Sequence, residues 1–309
     1  MSVTANLLTY GDVSRVEDVV LNSIELLTAT EDSVMNIIGK TEAKDTVHSY
    51  LVDTLRTAAS KAVQMGADYT ALANSTPTRL TNIVEEIAIP IKVSRPQQVV
   101  KHYHGENELE RQLGKALKDW GNAFEFDLVR STLVSGLSGT VAKMSGVIEA
   151  ISKSTNTTAH TSGTVFSASI LDGLMQCNWE NSNGDVATDI FVGGILRRVI
   201  DNFTQKSNIV VNNANGGTTI VRTVSTYETA FGTISVHKHR YIQDSGDATG
   251  RVLAIRPEKL KIAYLDKPMI QTDLAVSGPY SFRAVYGSAT LEVRNQDSNW
   301  FASGFLKSA

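Results

Sequence analysis

The sequence is poor in the features that mark secreted and membrane proteins. Its 309 residues contain a single cysteine, Cys177, so no internal disulfide and no cysteine-only metal site can form. No stretch approaches the roughly 20 apolar residues of a membrane-spanning helix, and the N-terminus lacks the basic and apolar regions of a signal peptide. We therefore expect a protein of a reducing compartment with no membrane partner.

The sequence also lacks a large net charge and the known nucleotide-binding motifs. The 29 Lys and Arg residues are offset by 32 Asp and Glu residues, so the net charge is -3, without the basic excess that phosphate contacts need. The chain has no Gly-x-x-x-x-Gly-Lys-Ser/Thr loop and no Gly-x-Ser-x-Gly nucleophile turn. Gly193 and Gly194 lack the spacing of a dinucleotide site. We predict no catalytic residue and no cofactor.

The six histidines include two His-x-His pairs, His102/His104 and His237/His239. On a strand, residues i and i+2 share a face, so each pair could bind a metal ion. Neither pair has a third ligand in a nearby motif. We interpret these residues as surface histidines and predict no metal site, and we interpret Cys177 as a small core residue of a helix.

The longest regular pattern covers residues 106–135, where apolar residues recur every three or four positions as in an amphipathic helix. Glu106, Glu108 and Glu110 crowd its first turn, where the helix dipole favours carboxylates. At 1.5 Å per residue the helix would be a rod of about 45 Å, as long as a compact domain is wide. We interpret it as a spine; the alternative is an ordinary core helix. The predicted core positions of this spine are Leu109, Leu113, Leu117, Trp120 and Phe124.

A second pattern, over residues 79–94, is that of a long strand with one apolar face. Fully extended at about 3.3 Å per residue, it would cross roughly 50 Å, the full width of a compact globule of this length. It either bends into an internal sheet or protrudes as a ribbon. A two-stranded ribbon is marginal alone, so a protruding one needs a neighbouring subunit. The candidate intersubunit contacts are Ile83, Ile87, Ile89, Ile91 and Val93.

The order of the remaining segments indicates a discontinuous domain. The sequence predicts a short amphipathic helix between Val13 and Leu27. Residues 136–165 are rich in Ser, Thr, Gly and Asn, which is typical of a boundary. Residues 166–250 alternate helix and strand, and residues 251–309 return to extended structure. We infer that an α/β unit is inserted between the spine and its own sheet.

Several segments resemble one branch of the major capsid proteins of tailed bacteriophages, which have the Hong Kong ninety-seven capsid fold. These segments are residues 28–55, 81–94, 191–203, 227–234, 252–265 and 290–295. The resemblance implies an α+β fold with an N-terminal arm, an extended E-loop hairpin, a P-domain with a long spine helix and an inserted α/β A-domain. The implied boundaries are 1–46 for the arm, 47–104 for the E-loop, 105–152 for the P-domain with its spine, 153–250 for the A-domain and 251–309 for P-domain strands returning to the spine.

The resemblance further implies a structural protein rather than an enzyme. It would self-assemble into pentamers and hexamers of an icosahedral phage head that encloses double-stranded DNA, with the E-loop of one subunit on the P-domain of the next. Its implied partners are further copies of itself, a portal, scaffolding or decoration proteins, and packaged DNA through non-specific proximity. Its location would be the virion capsid, assembled in the host cytoplasm. Two alternatives stay open: an encapsulin-type compartment shell of the same fold, and an α/β ligand-binding or enzymatic module.

Overall fold

The computed structural model describes most of the chain beyond residue 33. The described residues are 7–8, 34–55, 59–66, 68, 74–100, 107–136, 139–152, 157–182, 184–203, 209–212, 218–221, 226–242, 249–272 and 274–306. The helix predicted between Val13 and Leu27 and the pair His102/His104 lie outside them. None of the described helices is both long and apolar enough to span a membrane.

Helices and strands alternate irregularly along the chain. The described helices are α1 (Val34–Ile37), α2 (Arg95–Val99), α3 (Glu108–Arg130), α4 (Val147–Ser152), α5 (Ala168–Asn181) and α6 (Gly194–Asn202). The described strands are β1 (Leu7–Leu8), β2 (Gly39–Glu42), β3 (Val47–Val52), β4 (Thr78–Ile83), β5 (Glu85–Ser94), β6 (Thr157–Thr164), β7 (Asp189–Val192), β8 (Ile209–Asn212), β9 (Thr218–Val221), β10 (Thr226–Thr229), β11 (Gly232–Lys238), β12 (Gly250–Ile255), β13 (Leu260–Gln271), β14 (Tyr280–Val293) and β15 (Trp300–Phe305).

The long helix α3 is shorter than its predicted range of 106–135. Its 23 residues give a rod of about 35 Å. The side chain of Asn107 caps the first turn by accepting a hydrogen bond from the backbone N–H of Leu109 at 3.1 Å. The helix ends at Arg130 because Ser131 adopts an extended backbone.

Helix α3 lies against a five-stranded sheet with the strand order β1-β5-β14-β13-β2. Strand β14 is antiparallel to β5 and β13, whereas β1 and β2 run parallel to their neighbours. Trp120 stacks on Phe124 with ring centroids 5.2 Å apart, and its indole N–H donates to the carbonyl of Ile87 at 3.1 Å. Gly287 on β14 makes room for that indole, because a Cβ there would lie 2.7 Å from Trp120 Cζ2.

A second sheet of six strands has the order β10-β11-β7-β12-β15-β6. Helices α5 and α6 supply Leu171 and Leu196 to its core, which also contains Ile190 and Trp300. The prediction that residues 251–309 all return to the spine is therefore wrong for β12 and β15. Of the late strands, β13 and β14 pair in the spine sheet, whereas β12 pairs with β7 and β15 pairs with β12 and β6.

Candidate assembly surface

Strands β3 and β4 form an antiparallel pair, from Val47 opposite Ile83 to Val52 opposite Thr78, that joins no other described strand. We call β3, β4 and the residues between them the ribbon. The ribbon ends at Ile83, whereas the predicted E-loop continues to residue 104. Strand β5 leaves the ribbon after Val84 and pairs with β14 along its whole length.

The pairing of β5 with β14 decides between the two alternatives for residues 85–94: this segment joins an internal sheet and does not protrude. Val93 is fully buried in the core under α3, and Ile87, Ile89 and Ile91 are half-buried against the same core. These four residues therefore contact the core of their own chain, which leaves less of their surface for a neighbour, and the intersubunit contact at them stays a prediction. Ile83 lies on the ribbon, opposite the exposed Val47, and for it the intersubunit contact stays a prediction.

The ribbon nevertheless carries apolar side chains that the described part of its own chain does not cover. The exposed fractions are 68% for Leu51, 98% for Leu55, 56% for Val63 and 100% for Met65. A two-stranded ribbon has no second layer under which such residues could be buried. The exposed apolar surface of the ribbon therefore lies mainly outside the five residues for which the sequence predicts intersubunit contacts.

Polar contacts fix the base of the ribbon to the spine sheet. Asn82 is buried, and its amide donates to the carbonyls of Leu291 at 2.8 Å and Ser145 at 3.1 Å. Its side-chain oxygen accepts from the backbone N–H groups of Ser145 and Ile83, both at 2.9 Å. Both donors and both acceptor positions of one amide are thus used at this point. We call this arrangement the Asn82 clasp.

Two side chains of β3 add to the clasp. The hydroxyl of Tyr50 accepts from the backbone N–H of Val293 at 3.1 Å, and burial raises the pKa of Tyr50 above its ordinary value. His48 Nε2 lies 3.3 Å from a carboxylate oxygen of Glu292. The base of the ribbon is therefore held by directional bonds, which fix its orientation. Asn82 lies on the polar side of the strand pattern, and that pattern gives no signal for these distant partners.

A groove of about 620 Å³ lies beside α3 at the open edge of β2. No other described strand pairs with the outer edge of β2. The residues that line the groove are Met35, Lys40, Thr41, Glu42, Leu117, Trp120, Gly121, Tyr264, Lys267 and Pro268.

The groove explains why one of the predicted core positions of the spine is not buried. Leu109, Leu113, Trp120 and Phe124 lie buried in the core under α3. Leu117 is half exposed because it faces the groove, at the open edge of the sheet. It is a candidate contact residue rather than a core residue.

Glu125 on α3 lies on the polar side of the helical pattern, yet the structure buries it. Its carboxylate accepts from the backbone N–H groups of Val34 at 2.7 Å and Met35 at 3.0 Å. The third partner is His239 Nε2, at 2.8 Å. One carboxylate therefore joins the start of α1, the spine and the segment that follows β11.

The histidine and cysteine predictions need correction as well. His239 is a buried residue bound to Glu125 rather than a surface histidine, and His237 binds Asp189 at 2.9 Å. The pair is thus divided between two carboxylates, and no cluster of three or more metal-ligating side chains occurs among the described residues. Cys177 is partly exposed rather than a core residue.

The sequence also matches a model of a known protein family. The model of the SU10 major capsid protein family matches residues 3–304, nearly the whole chain. The chain belongs to this family. It is a structural protein of the virion capsid, and that capsid is assembled from many copies of it. It is not an enzyme, so the α/β enzymatic alternative is set aside.

Solved structures agree on the fold of this capsid protein. The capsid of a native GTA particle matches with a TM-score of 0.68 at 12% identity over 94% of this chain and 95% of that chain. A structure of Mycobacterium phage Bobi matches with a TM-score of 0.62 at 11% identity over 93% of this chain and 95% of that one. A holo-SrpI encapsulin complex from Synechococcus elongatus PCC 7942 matches with a TM-score of 0.59 at 10% identity, over 92% and 94% of the two chains. The fold is therefore the Hong Kong ninety-seven capsid fold, as predicted. No curated protein matches the chain in sequence.

Proposed function

We propose that this capsid protein forms the pentamers and hexamers of an icosahedral phage head that encloses double-stranded DNA, and that the ribbon of one subunit docks in the groove of the next. The observation that carries the proposal is the exposure of Leu51, Leu55, Val63 and Met65 on a ribbon without its own core. Burying a leucine side chain gains about 1.5–3 kcal/mol. Docking would therefore stabilise both the ribbon and the ring.

The groove is the partner surface because it offers matching chemistry. Leu117 and Pro268 supply apolar area that matches the exposed leucines of the ribbon, and the charged side chains of Lys40, Glu42 and Lys267 surround it. The open edge of β2 leaves backbone groups for a second chain to cover. A ribbon that docks in a different surface of an identical subunit makes a heterologous contact, and such contacts close into rings.

Each part of the fold has a proposed role in the wider assembly. We infer that the ribbon acts as the E-loop, that α3 with the five-stranded sheet acts as the P-domain, and that the six-stranded sheet acts as the A-domain at ring centres. Residues 1–46 would form the arm. A portal and scaffolding or decoration proteins are proposed partners, with assembly in the host cytoplasm. The net charge of -3 provides no overall attraction to DNA phosphates, so packaged DNA would be a partner through non-specific proximity alone.

The test compares assembly of variants by sedimentation and negative-stain electron microscopy. Replacing residues 56–77 by a short Gly-Ser turn should leave a folded subunit that forms no closed shells. Leu117→Asp should have the same effect because it places a charge in the groove. Lys118→Asp, on the same helix but outside the groove lining, is the matched control and should assemble. Normal shells from both the shortened chain and Leu117→Asp would contradict the docking proposal.

The contents of the shells distinguish the two uses of this fold. A phage head should yield nuclease-protected double-stranded DNA when it is isolated from infected cells. An encapsulin-type compartment, the alternative suggested by the fold match to an encapsulin, should instead yield a protein cargo and no protected genome.

A further inference from the structure

Two acidic side chains meet where the ribbon joins the spine sheet. Glu85 is the first residue of β5 and is buried. One of its carboxyl oxygens accepts from the backbone N–H of Met144 at 3.2 Å, and the side chain of Asp127 on α3 lies within hydrogen-bonding reach of it. Since an ionised carboxylate has no hydrogen to donate, two carboxyl groups so placed can hydrogen-bond only when one of them carries a proton.

The surroundings favour that proton. Burial, followed by repulsion from Asp127, raises the pKa of Glu85 to about 7. Burial also raises the pKa of Asp127, although Lys143 opposes this shift. Lys143 is the cation that acts on both groups, and β14 presents the uncharged Ala289 opposite Glu85.

The carboxyl pair and the Asn82 clasp hold the same loop. Met144 binds Glu85, and the next residue, Ser145, binds Asn82 through both its N–H and its carbonyl. Gly146 then packs so closely on α3 that a Cβ there would lie 2.9 Å from the carbonyl oxygen of Asp127. A displacement of the pair must therefore move the loop that secures the ribbon.

We propose that Glu85 and Asp127 form a proton-sharing latch, which holds the base of the ribbon against α3 while the pair keeps a proton and loosens it when both groups are ionised. The latch is a property of the single subunit. Its use in orienting the ribbon toward a neighbour rests on the proposed function. This use would let proton concentration control whether the ribbon is presented in a fixed orientation.

The direction of the pH dependence follows from linkage. Opening exposes the carboxyl groups to water, where their pKa values return to about 4. The closed state therefore binds more protons than the open state between about pH 4.5 and about pH 7, and opening releases a proton in that window. The opening equilibrium should rise by up to about tenfold per pH unit in the window and level off above it.

Hydrogen exchange of the unassembled full-length subunit between about pH 5 and about pH 8 tests the latch. After correction for intrinsic exchange rates, the amides of Met144, Ser145 and Ile83 should lose protection as the pH rises to about 7. The amide of Ala187, which donates to the side-chain oxygen of Asn178 on α5, serves as the internal reference and should show no such step.

Substitutions assign the step to the pair. Glu85→Gln keeps a permanent donor toward Asp127 and should abolish the step, whereas Glu86→Gln on the exposed neighbour should retain it. Asp127→Asn gives the same test if Glu85→Gln fails to fold. Protection independent of pH in the wild type, or an unchanged step in the variant of the pair that folds, would overturn the latch. These readouts need no assembly, so they are independent of whether Leu117→Asp forms shells.

Discussion

The ribbon and strand β5 are adjacent in the chain, yet they differ in what covers their apolar side chains. On β5, Ile87 and Val93 lie under α3, within one hydrophobic core. On the ribbon, Leu51 and Leu55 are exposed. Val84 alone separates β4 from β5. The comparison teaches that alternation of apolar and polar residues identifies a strand face but not the surface that will cover it.

The two regions also differ in the forces that hold them. The core under α3 is held mainly by apolar packing, which is strong but non-directional. The base of the ribbon is held by Asn82, Tyr50 and Glu85 through hydrogen bonds to specific backbone groups. Such bonds contribute less free energy but fix an orientation, as a subunit that must meet a neighbour requires.

The largest effect should come from the packed side of this comparison. Trp120→Ala removes a buried indole and should lower the free energy of unfolding by about 3–5 kcal/mol, measured by urea denaturation of the unassembled subunit. Trp179→Ala is the matched control, because Trp179 is half exposed on α5 and should change the free energy by only about 0.5 kcal/mol. Equal costs for the two variants would mean that the stripe of α3 is not the core face.

An intermediate effect is expected at the clasp. Asn82→Ala leaves the buried carbonyl of Leu291 and the N–H and carbonyl of Ser145 without this partner, so it should cost about 1–3 kcal/mol. Thr81→Ala, an exposed position on the same strand, should cost far less. Urea denaturation gives both values, and hydrogen exchange at Ser145 localises the loss. An Asn82 variant as stable as the Thr81 variant would show that the clasp does not hold the ribbon.

The sequence was sufficient for features that depend on local periodicity. The spacing of Leu109, Leu113, Trp120 and Phe124 predicted the spine helix and the face that the structure buries. Leu117 has the same spacing but faces the groove, because the sheet ends at β2. Periodicity gives the angle of a side chain around its helix, whereas the extent of the sheet under that helix is decided elsewhere in the chain.

Features that depend on distant partners could not be predicted in this way. Glu125 falls on the polar side of the helical pattern, yet its partners Val34 and His239 lie 91 and 114 residues away in the chain. Strands β12 and β15 have the same extended pattern as β13 and β14, and nothing in their own residues indicates which sheet they join. Glu85 and Asp127 likewise gain their shared proton only from the fold.

The smallest effect on stability should come from the ribbon. Leu51→Ser should change the free energy of unfolding of the single subunit by no more than about 0.5 kcal/mol, because the side chain is already exposed to water. The same variant should reduce the yield of closed shells in sedimentation, since it removes apolar area that a neighbour would bury. Leu51→Ile keeps that area and is the matched control. A loss of more than about 1 kcal/mol in the isolated Leu51→Ser subunit would mean that the chain covers this residue itself. The contrast between ribbon and core would then fail at Leu51, the most exposed large apolar residue of β3.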